Sequence, residues 1–106
     1  MNPTSIFDSL PRDLNLEVFE ELVHASTVRI ERIVSKGQTT PEVGWYDHEE
    51  NEWVMVVKGK ACLEFEDGSI CDLSAGDYIN ISAHVKHKVL WTDPNHMTIW
   101  LAVFYS

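Results

Sequence analysis

Two ionisable side chains stand out by their apolar neighbours. Glu52 opens the run Trp53-Val54-Met55-Val56 and, in an extended chain, shares a face with Val54 and Val56. His87 alternates with Val85, Val89 and Trp91, with Lys86 and Lys88 on the other face. If those apolar faces are interior, both polar groups point inward, where a bare carboxylate must be paired, protonated or bound to a cation. A carboxylate and an imidazole on two rigid strands are suitable donors for a divalent transition metal such as Zn, Fe, Mn or Ni. The loop Asp47-His48-Glu49-Glu50-Asn51 offers a further carboxylate or imidazole as a third donor. The same residues admit a metal-free arrangement: His87 as a neutral interior histidine bonded to Tyr46 or Glu52, and the 47–50 run as a solvated acidic loop.

Strands must hold such groups, and the chain supplies them from Thr27 onward. Val28, Ile30, Ile33 and Val34 form a β-branched run that stops near Gly37, and Pro41 and Gly44 mark an extended edge and a turn. The residues from 53 to 58 and 61 to 66 are separated by Gly59, and Ala61, Leu63 and Phe65 alternate against polar neighbours. Asp67-Gly68 is the strongest hairpin signal, and pairing about it sets Cys71 opposite Glu64, with Cys62 diagonal and too distant for an easy disulfide. Ser74-Ala75-Gly76-Asp77 makes another turn, and an aromatic, β-branched strand from 99 to 105 follows Asp93-Pro94-Asn95. Short strands punctuated so often indicate a barrel or sandwich. Ahead of them, Leu14, Val18 and Leu22 recur every four residues, with Glu17, Glu20 and Glu21 opposite, which predicts a short amphipathic helix over 15–24 with Asn15 as its cap.

A chain of 106 residues with 44% hydrophobic residues and no internal repeat suits one small domain, divided here into a helical extension (1–26) and a barrel (27–106). Its net charge of −9 and lack of any basic cluster argue against nucleic acid and anionic membranes as partners. The start lacks a secretory pattern and the apolar runs fall short of a bilayer span, so a soluble, cytoplasmic protein with two reduced thiols is expected.

Together the polar loop, the turn glycines and the late histidine resemble the cupin family. Its first motif runs from Gly through a His-x-His pair and a Glu to a closing Gly; Gly44 opens it here, and Glu52 and Gly59 close it with the family's six residues between them. The second motif is matched at Gly76 and His87, with Ser82, His84 and Trp91 where the family has Pro, Gly and Asn. The His-x-His pair is missing: counting four residues back from Glu52 places Trp45 and Asp47 there, and counting three places Tyr46 and His48. The resemblance implies an all-β, single-domain jelly-roll barrel. It also implies a metal held by Glu52 and His87, with Asp47 or His48 as third ligand and His84 as candidate fourth.

Three readings follow. One is a metal-dependent cupin acting on a small metabolite, in which Tyr46 or His84 exchanges a proton with the substrate. Another is a metal-free binding or sensor module, with Trp45, Trp91 and Tyr46 as an aromatic wall and His87 and Glu52 as anchors. The third is a homodimeric barrel with a purely structural role, its aromatic residues serving core and dimer contacts. Trp53, Met55 and Val57 make the second face of their strand apolar as well, so either the predicted helix or a second copy of the chain should cover it, and a homodimer is expected.

Overall fold

β-branched and aromatic residues recur along the chain after residue 17, and in the computed structural model, which describes residues 1–106, that part forms eight strands and no α-helix. The strands are β1 (Val18–His24), β2 (Val28–Ser35), β3 (Asn51–Lys58), β4 (Lys60–Phe65), β5 (Ile70–Ser74), β6 (Tyr78–Ile81), β7 (His87–Thr92) and β8 (Thr98–Tyr105). They pair antiparallel in a five-stranded sheet ordered β1-β2-β8-β3-β6 and a three-stranded sheet ordered β5-β4-β7. The sheets enclose a core that includes Val54, Val56, Leu63, Leu73, Trp100 and Ala102. This is the expected all-β jelly roll.

The helix predicted over 15–24 is instead the edge strand β1, in register with β2 from Val18↔Val34 to His24↔Arg29. A ten-residue helix is marginal by itself, whereas the free edge of β2 offers a ladder of backbone partners. The switch also reassigns the glutamates. Glu20 turns to the outer face against Arg32, while Glu17, just before β1, reaches the inner side. With no helix present, Trp53, Met55 and Val57 stay partly exposed on the outer face, where Trp53 packs against Tyr78 at 5.3 Å.

The β4–β5 register also differs from the expected one, because the connection is a three-residue loop rather than a tight turn. Phe65 N–H donates to Ser69 O at 2.9 Å, Gly68 N–H to Phe65 O at 2.9 Å, and Gly68 takes φ 90°. Cys71 therefore faces Leu63 while Cys62 pairs with Asp72, placing the thiols on opposite sheet faces, both free. Burial, reinforced by Asp72, pushes the Cys62 thiol up to about 11, so it stays protonated.

Beside β7, the segment 38–46 runs along the strand's open edge: Val89 N–H donates to Thr40 O at 2.8 Å and Thr92 Oγ1 to Gln38 O at 2.8 Å. This covers the edge and delivers the polar loop to the mouth of the barrel.

Candidate metal centre and cavity

An isolated bridge determines which loop residues face inward. Tyr46 N–H donates to His87 O at 2.7 Å and His87 N–H returns to Tyr46 O at 3.2 Å, so residues 45–48 run extended and alternate in direction. Tyr46 and His48 turn into the barrel, their rings stacked at 5.3 Å. Trp45 and Asp47 turn away: Lys88 sits 4.5 Å from the Trp45 ring, and Asp47 Oδ1 pairs with His84 Nδ1 at 2.8 Å on the surface.

Inside, the ligand atoms of His48, Glu52 and His87 lie within 4.8 Å of one another. His87 is buried, and its Nδ1–H donates to Val85 O at 2.8 Å, which directs Nε2 at Glu52 Oε1, 3.1 Å away. His48 Nε2 is 3.9 Å from the same oxygen, and its ring sits edge-on to Phe104 at 5.4 Å. Burial opposes charge on His87, but its hydrogen bonds to Glu52 and Val85 and the Glu52 charge outweigh that and raise its pKa.

Of the residues singled out from sequence, Tyr46, Glu52 and His87 meet in one cavity, and His48 joins them. Asp47 and His84 stand outside it; the loop instead uses His84 N–H as a brace, donating to His48 O at 2.8 Å, with His84 at φ 65°. The expected aromatic wall also differs. A register shift opposite Cys62 and Leu63 puts an extra residue into β7, so Trp91 turns out to solvent and Trp100 of β8 takes the inner place.

The cavity measures about 210 Å³ and is lined mostly by apolar groups, among them Ile33, Val54, Leu63, Ile81, Trp100 and Phe104. Its remaining polar lining consists of Glu17, Arg29 and Glu31. Arg29 is held by Glu31 at 2.9 Å and Glu50 at 3.2 Å, with its guanidinium 4.2 Å from the Phe104 ring centre. Glu17 escaped the sequence reading because a helical period puts it on the solvent side; a period of two, with Phe19, would have turned it inward. Its carboxylate accepts from Ser35 Oγ and from Thr40 Oγ1 at 3.0 Å. Burial raises its pKa above the usual 4.5, against the lowering effect of those two hydroxyls. Tyr46 is raised as well, by burial first and then by the charges of Glu17 and Glu52, so its phenol keeps its proton at neutral pH.

The Glu17 shift has a testable sign. A carboxyl whose folded pKa lies above its unfolded value costs nothing below the unfolded pKa and destabilises progressively as pH rises through the folded one. Glu17→Gln is therefore expected to be more stable than the unmodified protein in urea at neutral pH, with the gain disappearing below pH 4.5. A difference that does not change with pH would contradict this assignment.

Residues 31–104 match the family model described as Cupin domain. A protein of Ralstonia eutropha JMP134, described provisionally as a mannose-6-phosphate isomerase, is 37% identical, with 100% of this chain and 99% of that one covered and a TM-score of 0.93. Two more distant structures share the fold. An RmlC-like cupin family protein from Methanocaldococcus jannaschii is 22% identical, with a TM-score of 0.71 and 91% and 85% coverage of this chain and that one. A cupin superfamily protein from Desulfitobacterium hafniense DCB-2 is 16% identical, with a TM-score of 0.75 and 91% and 83% coverage. No curated protein matches the chain.

Proposed function

The chain belongs to the cupin family, and on that premise we propose that it holds a divalent transition metal through His48, Glu52 and His87 and acts on a small metabolite in the adjoining cavity. The observation that carries this reading is the convergence of two imidazoles and a carboxylate within 4.8 Å in the lining of a mostly apolar cavity. The donor set fits a metal: two nitrogens and one carboxylate leave coordination positions open, as in catalytic rather than structural sites. His87 has the matching outer support, because its Nδ1–H bond to Val85 O fixes the tautomer that presents Nε2 to the cluster. Tyr46 occupies one of the two family histidine positions when three residues are counted back from Glu52, and His48 the other.

A bound divalent ion would supply Lewis acidity, polarising a carbonyl or acidifying a water. The chain's own residues provide the rest. Phe104 and Trp100 keep bulk water from the ligand, and the Tyr46 phenol, held protonated beside two carboxylates, is a hydrogen-bond donor to a substrate oxygen. The phosphorylated sugar named for the Ralstonia relative is not carried over, because Arg29 is already chelated by Glu31 and Glu50. A metal-free binding module is the second reading, favoured by the direct 3.1 Å contact between His87 Nε2 and Glu52 Oε1.

Elemental analysis of protein purified without chelator or metal-affinity resin separates the two. About one metal per chain is expected, lost in Glu52→Ala and His87→Ala, reduced in His48→Ala and retained in Asp47→Ala. Metal far below stoichiometry in the unmodified protein, or occupancy unchanged in the variants, would leave the binding module as the better account.

A further inference from the structure

We propose that Glu17 is the anchor for the ammonium group of a small amine-bearing ligand held in this cavity. The proposal rests on the cavity's being a ligand site, as argued above, and not on the presence of a metal.

Three carboxylates line the cavity, and two have basic partners: Glu31 has Arg29, and Glu52 has His87 with His48 nearby. Glu17 alone has no basic side chain within 4.0 Å. Burial raises its pKa, while the two hydroxyls that donate to it support the ionised form as acceptor. An indole N–H can only donate, so the 3.1 Å bond from Trp100 Nε1 to Ser35 Oγ leaves the serine's own hydrogen for Glu17. On the other side, Thr40 Oγ1 donates to Glu17 Oε1 at 3.0 Å. Both hydroxyls end on this carboxylate, which two neutral donors solvate without neutralising.

An uncompensated carboxylate at an apolar cavity wall attracts a cation, and a charge-assisted hydrogen bond is roughly twice as strong as a neutral one. An ammonium nitrogen can occupy the lone-pair positions left free by Ser35 and Thr40. Anionic ligands meet the opposite situation, since the charge of Glu17 repels them and Arg29 is already engaged.

The test uses four probes with a three-carbon skeleton: n-propylammonium, 1-propanol, propionate and n-propyl phosphate. Each is titrated at neutral pH into the full-length, 15N-labelled protein, with zinc and separately with chelator, following the Ser35, Thr40 and Tyr46 amides. The ammonium is expected to bind about tenfold or more tightly than the alcohol under both conditions, with the two anions weakest, and the preference is expected to vanish in Glu17→Gln. Tighter binding of propionate or propyl phosphate, binding by none of the four, or an ammonium preference that survives in Glu17→Gln would each overturn the proposal. If Glu17→Gln does not fold, the ranking in the unmodified protein still decides. Loss of the metal reading leaves the chelator arm intact, so the two failures are distinguishable.

Discussion

Gly59→Ala is expected to destabilise the protein by ~3–5 kcal/mol, from backbone strain and steric overlap together, and to lower its melting temperature by ~10 °C or more. Gly59 lies between β3 and β4, where the chain leaves the larger sheet for the smaller, and adopts φ 97°. A Cβ there would stand 2.7 Å from Thr98 Oγ1, 2.8 Å from Met97 O and 2.8 Å from Thr98 Cα. Two of those atoms are backbone at the start of β8, and Thr98 is itself held by its 3.1 Å bond to Lys60 O, so little can yield. Gly68→Ala is the control. Its φ of 90° is similar but nothing lies within 4 Å of its would-be Cβ, so only the backbone contribution of about 1–3 kcal/mol applies. Equal losses for the two variants in urea denaturation would remove the close approach of β8 as the reason for a glycine at 59.

Arg32→Ala is expected to cost ~2–4 kcal/mol, because it strands backbone carbonyls that a charged donor satisfies, while Glu20, 37% exposed, can be rehydrated. Arg32 is 4% exposed on the outer face of the five-stranded sheet. Its guanidinium takes both oxygens of Glu20, at 2.8 and 2.7 Å, and the backbone carbonyls of Ile6, Asp8 and Ser9 at 3.0, 2.6 and 3.2 Å. Three carbonyls and a carboxylate would lose their donor at once, and the N-terminal segment would lose its anchor to β2. Arg32→Lys is expected to recover little of the loss, because a single ammonium cannot span the fork. Limited proteolysis adds a local readout: cleavage within residues 1–16 should accelerate in Arg32→Ala before the barrel melts. Continued protection of that segment would show that other contacts hold it. The consequence reaches the cavity, because Glu17 follows directly on this segment and depends on the course it takes into β1.

Much of the barrel was legible locally. Burial of one strand face ties side chains to a period of two, so Val54 and Val56 carry Glu52 inward with them, and Val89 does the same for His87. The turn residues Gly59, Gly68 and Gly76 all take positive φ, as their places between strands require. Residues 15–24 were not legible, because Leu14, Val18 and Leu22 fit a helical face as well as a strand, and only the unpaired edge of β2 resolves that ambiguity. Trp91 was misplaced because an irregularity in β7 shifts parity without leaving a mark in the composition.

By itself, then, the sequence determined the all-β class, the turn positions and the inward direction of Glu52 and His87, since these depend on local sterics and on which strand face excludes water. Only the tertiary structure decided what joins them. Tyr46 and His48 face inward, and Asp47 does not, because Tyr46 pairs with the backbone of His87 forty-one positions later. Glu17 enters the cavity because β1 docks on β2 and Ser35 and Thr40 receive its carboxylate. These placements follow from hydrogen bonds between residues distant along the chain, which no local pattern of residue types encodes.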